Sequence, residues 1–203
     1  DTDEVAAVVR ICREAGVVRV ATLRELCLAG KAFGFHRNGF GNRVLLLSNS
    51  GGPGVLAADR AVQAGLALVD LDPVLVRRLR DELPAEAAVA NPMDLLADAR
   101  EDRFGPVLQA ALDRMSDRLD AILMIHVVPF MVDAGPVVEA LSAVASGSHV
   151  PLMHSMMGTL EHREAWFARL EAAGVPAFAD SEEMCAAAGM LVRYHGWRAR
   201  LDA

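Results

Sequence analysis

Residues 42–59 constrain the fold more than any other stretch. Val44-Leu45-Leu46-Leu47 is a short apolar run, residues 48–54 (Ser-Asn-Ser-Gly-Gly-Pro-Gly) are small and glycine-rich, and residues 55–64 have helical spacing. A brief aliphatic run bounded by turn residues reads as a strand covered on both faces. The segment is therefore strand, tight turn and helix. Gly52 before Pro53 suits the helix start, because proline tolerates a first helical position, where an N–H has no partner anyway.

Such a turn has a chemical use. The first N–H groups of a helix lack internal partners and carry partial positive charge. Glycines let a backbone approach a ligand without Cβ clashes. Together they make a cradle for phosphate or another anion. The candidate contacts are Asn49, Ser50, Gly51, Gly52 and Gly54. The same residues also serve a plain strand-to-helix turn, and both readings stand at this point. No Lys-Ser or Lys-Thr follows Gly54 as in a Walker loop, and the third glycine of G-x-G-x-x-G is missing.

Composition narrows the partners. The 203 residues are 53% hydrophobic but only 5% aromatic, so aliphatic side chains and alanine must fill the core. The net charge of −7, without a basic stripe, disfavours nucleic acid. No apolar run is long enough to cross a membrane, and no signal peptide opens the chain. Cys12, Cys27 and Cys185 lie far apart in apolar helical patterns and read as buried free thiols of a reducing cytoplasm.

After Val44, apolar strands at 44–47, 66–69, 119–127, 150–154 and 175–178 alternate with helical patterns. The alternation predicts a three-layer, flavodoxin-like α/β domain with a five-stranded parallel sheet ordered 2-1-3-4-5. Ligands of such sheets bind beyond the carboxyl ends of the strands, at the order switch. The 48–54 loop lies there. Residues 85–99, including Asn91-Pro92-Met93-Asp94-Leu95, read as mostly irregular, and Ser181 as the cap of the last helix. Upstream, a helix over 4–15 stopped by Gly16, a strand over 17–20 and a helix capped by Thr22 and Glu25 read as a helix–strand–helix remnant of another module. The loop 34–41 divides residues 1–40 from residues 41–203.

His126 and His154 end the third and fourth predicted strands, on the edge that carries the glycine turn. Each is a candidate base or phosphoryl acceptor, or simply a hydrogen-bonded strand-end histidine. His36, His149, His162 and His195 fall in loops or on helix faces and read as solvated. No His-x-x-x-His pair suggests a metal site. Asp59, inside the helix, reads as a buried structural or intermodule contact, and Asn91 and Asp94 as loop caps or support for the turn.

The run from Gly41 to Asp59, with Ser48-Asn49-Ser50-Gly51-Gly52-Pro53-Gly54 at its centre, resembles the start of the second flavodoxin-like module of ADP-forming acyl-CoA synthetases, relatives of succinyl-CoA synthetase. Asn91-Pro92-Met93-Asp94-Leu95 is similar to that module's Asn-Pro-x-Asp segment, and the run from Ala15 to Leu26 resembles the end of the preceding module. The resemblance implies a ligase that makes acyl-CoA from a small carboxylic acid, CoA and ATP, releasing ADP and phosphate through a phosphohistidine. It implies that this histidine lies upstream of Asp1, that no cofactor binds within this chain, and that CoA, ATP and Mg bind to the full enzyme. The implied partners are the CoA-binding and ATP-grasp modules, and the 50–54 loop is then one of two helix N-termini that hold the phosphohistidine. The chain alone is expected to be inactive, and to self-associate through residues 3–33 as a homo-oligomer. The alternatives are a synthetase-like regulatory region of a protein acetyltransferase and a free-standing flavodoxin-like binding module.

Overall fold

The computed structural model describes residues 2–201. Two helices, α1 (Thr2–Glu14) and α2 (Leu23–Phe35), precede an alternating series. That series runs β1 (Arg43–Ser48), α3 (Gly51–Gln63), β2 (Ala67–Leu68), α4 (Pro73–Glu82), β3 (Met93–Asp94) and α5 (Glu101–Met115). It continues with β4 (Ala121–Val128), α6 (Gly135–Ala145), β5 (Leu152–Gly158), α7 (Arg163–Ala172), β6 (Ala177–Phe178) and α8 (Ser181–Leu201).

Every strand pairing is parallel, as the alternation requires. Parallel sheets need cover on both faces, and two apolar layers supply it. Leu45, Leu47, Met124 and Leu152 face Leu75, Phe104, Leu108 and Leu141 of the helices on one side. Val44, Leu46, Leu123 and Met153 face Ala57, Ala61, Ala188 and Leu191 on the other. Small residues let α3 and α8 approach closely: a Cβ on Gly189 would stand 2.7 Å from the Ala64 Cβ and carbonyl. Helix α2 belongs to this second layer. Its Ala32 is buried there, and Lys31 donates to Glu171 Oε1 and to the Ala177 carbonyl, each at 2.6 Å.

The sheet departs from the five-stranded expectation in count and order. It has six strands, on the path β2-β1-β4-β5-β6 with β3 paired to β1 off that path. One edge of β1 is shared: Arg43 and Val44 pair with Ala67 and Leu68, and Leu47 and Ser48 pair with Met93 and Asp94. Between the two short strands the Asn91 side chain completes the ladder. Its Oδ1 accepts from Leu46 N–H at 3.0 Å, and its Nδ2 donates to the Val44 carbonyl at 2.8 Å and to the Val69 carbonyl at 2.9 Å. A primary amide has the donor and acceptor of a peptide, so it substitutes for the missing strand residue.

Other expectations also shift. Residues 17–20 form no strand; among the described residues they pair with no other strand. Helix α3 starts at Gly51 rather than at 55, which puts Pro53 in its third position. Asp180, not Ser181, caps α8: its Oδ1 accepts from Glu183 N–H at 2.7 Å. Thr22 does cap α2, accepting from Glu25 N–H at 3.1 Å, while Glu25 reaches back to Ala21 N–H at 2.6 Å. Cys27 is exposed and Cys12 half-buried, so only Cys185 is a core thiol; burial pushes its pKa up to about 12.

Candidate functional site

The glycine turn sits at the carboxyl end of β1, with β4 on one side and β3 on the other. Two side chains fix its frame. Asn49 is fully buried, and its amide reproduces a strand pairing with β4. Its Nδ2 donates to the Val127 carbonyl at 2.9 Å, its Oδ1 accepts from Val127 N–H at 2.8 Å, and its own N–H goes to the Ile125 carbonyl at 3.3 Å. Ser48 holds the turn itself: its hydroxyl donates to the Ser50 carbonyl at 2.9 Å and accepts from Ser50 N–H at 3.0 Å.

These bonds sort the candidate contacts. Asn49 is a fastener with its polar groups committed to β4, and the Ser50 N–H is committed to Ser48. Gly54 N–H donates to the Ser50 carbonyl at 3.0 Å inside the helix. Gly51 and Gly52 are different. Both are exposed, both lie in the first turn of α3, Ser50 makes no side-chain cap, and no acidic residue stands in that turn. Pro53 has no N–H. The mouth of the turn thus presents the Gly51 and Gly52 amides and the Ser50 hydroxyl. Nothing lies within 4 Å of a Cβ built on Gly52, so this face is open.

Asp94 forms the rim. Its Oδ1 accepts from Leu96 N–H at 2.9 Å, and its Oδ2 lies 3.0 Å from where a Gly51 Cβ would stand. Asp94 therefore both supports the β3 loop and brings a carboxylate to the mouth. Asn91 acts one step further back, on the β1 ladder. Asp59 is exposed on α3, not buried as its pattern suggested, because the buried stripe of that helix runs through Gly54, Ala57 and Ala61. The exposed side carries Val55, Leu56 and Val62, each more than half exposed. Four grooves on the described surface lie elsewhere, and none is lined by residues 48–54. An anion at the mouth would need a second surface to enclose it.

The histidines are not at the mouth. His126 and His154 lie inside β4 and β5 rather than at strand ends, and both are buried. Their rings stand edge to face at 6.0 Å, with His126 against Phe104 at 5.1 Å. His126 Nδ1 and both nitrogens of His154 have no hydrogen-bond partner among the described residues. Burial lowers the pKa of His126 to about 4; burial and then the His126 charge lower that of His154 to about 3. They are neutral core residues at ordinary pH. His36 is half-buried rather than solvated; its Nε2 meets the Leu152 carbonyl at 3.3 Å, and burial lowers its pKa. Among the described residues no group of three His, Cys, Asp or Glu could hold a metal ion.

The Ligase-CoA domain family matches residues 44–201, from the second residue of β1 to the end of α8. The chain belongs to the Ligase-CoA domain family. The chain is 32% identical over 187 residues to the α subunit of ADP-forming acetate–CoA ligase II of Pyrococcus furiosus, covering 89% of this chain and 40% of that subunit. It is 36% identical over 113 residues to ADP-forming acetate–CoA ligase I of Archaeoglobus fulgidus, covering 56% of this chain and 16% of that protein. The crystal structure of PH0766 from Pyrococcus horikoshii OT3 superposes with a TM-score of 0.82 at 28% identity, over 95% of this chain and 44% of that one. The acetyl-coenzyme A synthetase 1 of Ca. Korarchaeum cryptofilum superposes with a TM-score of 0.87 at 22% identity, over 98% of this chain and 43% of that one, a likeness of fold. The chain thus spans less than half the length of these relatives.

Proposed function

We propose that this chain is the part of an ADP-forming acyl-CoA synthetase that presents one helix N-terminus to a phosphohistidine carried by a neighbouring module. The uncapped first turn of α3 carries the reading: Gly51 and Gly52 offer exposed N–H groups in a frame pinned by Asn49, Ser48 and Asn91. The full enzyme would join a small carboxylic acid to CoA at the expense of ATP. CoA, ATP and Mg would be bound by modules beyond residues 1–203.

The chemistry suits a phosphoryl group in transit. It must be held, yet remain free to leave. Backbone dipoles supply fixed partial charge without the strong pairing of a lysine clamp. A helix N-terminus contributes roughly 0.3–1 kcal/mol to an exposed anion and up to about 2 kcal/mol when partly buried. Closing the mouth against another module would move it toward the upper figure. The Asp94 Oδ2 would accept from the ring N–H of the incoming imidazole, which sets the orientation of the phosphoryl group. Val55, Leu56 and Val62 beside Asp59 give the outer face of α3 the apolar content of an intermodule contact. The exposed Val5, Val8 and Ile11 of α1 and Val17 beyond it offer a second contact, for another module or another copy of the chain. Light scattering at micromolar concentration distinguishes the two: a monomer removes the homo-oligomer.

The direct test uses the full-length synthetase. Acid-labile phosphate is measured after incubation with ATP, or with acyl-CoA and phosphate. The label should form in the wild type and fall sharply in a Gly52→Glu variant of unchanged thermal stability. Equal labelling in the two would sink the reading.

A further inference from the structure

A second concave surface lies between α3, α8 and the segment ahead of α2. It is a groove of about 230 Å³ whose charged lining is Arg19, Glu25, Arg60 and Arg193. Arg19 comes from the approach to α2, Glu25 from the first turn of α2, Arg60 from the last turn of α3, and Arg193 from α8. The elements are held in place by the α3–α8 contact at Gly189 and by the Thr22 cap.

The arginines of this groove differ from those that are paired with acids elsewhere on the surface. Arg43 pairs with Asp120, Arg78 with Glu82, Arg103 with Asp98 and Arg114 with Asp72. Among the described residues, Arg19, Arg60 and Arg193 make no salt bridge and no side-chain hydrogen bond. The single acid in the groove, Glu25, already accepts from Ala21 N–H at 2.6 Å. Burial, opposed by Glu25 and then deepened by the neighbouring Arg60, holds the Arg193 guanidinium below its usual pKa range. Positive charge has been gathered here, in a chain of net charge −7, with too little negative charge to balance it.

We propose that this groove is an anion-binding site that takes a diphosphate group between Arg19, Arg60 and Arg193. A guanidinium is a planar fork matched to oxyanions. Three of them offer more N–H donors than the oxygens of one phosphate accept, which favours a diphosphate over a single phosphate. Gln63 adds a neutral amide to the lining. Arg19 and Arg193 also line a neighbouring chamber of about 570 Å³, whose other lining residues include Val9, Val17, Tyr194 and Trp197. The diphosphate is therefore either free or the charged end of a nucleotide whose apolar part enters that chamber.

The test is calorimetric titration of the 203-residue chain with pyrophosphate and with ADP. At least one ligand should bind, more weakly as salt rises. Arg60→Gln and Arg193→Gln should each weaken binding about tenfold or more, the usual size for a charge-assisted contact. Glu25→Gln should tighten it, a gain that misfolding cannot imitate. Gly52→Glu, which fills the α3 mouth, should leave it unchanged. Tighter binding of ADP than of pyrophosphate assigns a nucleotide; equal or weaker binding assigns a free diphosphate. Absence of binding by both at millimolar concentration overturns the proposal. So does binding that survives both arginine variants, or binding that Gly52→Glu removes.

Discussion

Helices α3 and α4 belong to the same sheet and begin in opposite ways. Helix α4 finishes its own first turn. The Asp72 carboxylate accepts from Val74 N–H at 2.8 Å and from Leu75 N–H at 3.1 Å, and Pro73 removes a further donor. Helix α3 has neither cap nor acid in its first turn, although the side chains that frame it are bonded. The Asn49 amide is locked to β4, the Ser48 hydroxyl to Ser50, and the Asn91 amide to β1. A helix start satisfied by its own side chain has no capacity for a ligand. One left unsatisfied inside a rigid frame is preorganised for a charge from outside.

The largest effect should come from filling the open start. Gly52→Glu has room for its side chain, and a carboxylate in a first helical turn favours the helix. Thermal stability should hold or rise, while phosphorylation of the full enzyme falls by about 10²–10³-fold, the usual loss when a preorganised donor is blocked. Next comes the frame. Asn49→Ala leaves the part-buried Val127 N–H and carbonyl without partners, at a cost of about 1–3 kcal/mol in a denaturant melt. Asn91→Ala should cost a similar amount through Leu46 and Val44. A loss near zero in either variant would mean that the frame does not depend on these amides. Smaller again is Ser50→Asp, which gives α3 the kind of start that α4 has. It should stabilise the chain by about 0.3–1 kcal/mol and weaken phosphoryl transfer several-fold, because the new carboxylate competes for the same amides. Improved transfer would break the comparison.

The open start was legible in part. Its position follows from the apolar run 44–47 and the three glycines that follow, and the strand–helix alternation led to the parallel sheet. Periodicity could not show that Asn49 turns inward to β4, because an asparagine in a glycine loop looks the same whether it faces a ligand or a strand. Nor could it reveal β3: a two-residue strand has no period, and Asn91 makes its junction with a side chain. The run Val17-Val18-Arg19-Val20 failed the other way. It has the composition of a strand, but strand formation depends on a neighbour more than on propensity, and it pairs with none among the described residues. His154 hid the length of β5 by interrupting the apolar pattern with a buried imidazole. The arginine groove gave no sequence signal, since Arg19, Arg60 and Arg193 meet only in three dimensions.

Acid should separate the two helix starts by the smallest margin. The hydrogen bond from Leu75 N–H leads, burial opposes it next, and smaller contributions from Val74 N–H and Arg114 leave the Asp72 carboxyl below its usual pKa. Its folded pKa thus lies below the unfolded value of about 3.9. The charged cap favours the fold above that value, and the advantage drains away as pH falls through the folded pKa. His126 and His154 impose a separate and earlier loss. They must stay neutral in the core, so stability begins to fall below their unfolded pKa of about 6.5. Asp72→Asn cancels this background, because asparagine caps a helix without titrating and the histidines are common to both proteins. The wild type should melt above the variant at pH 6, by roughly 2–4 °C at most, and the gap should close once the pH has fallen below the folded pKa of Asp72. A constant gap would show that α4 does not draw on the charge of Asp72, and the contrast with α3 would then rest on hydrogen-bond geometry alone.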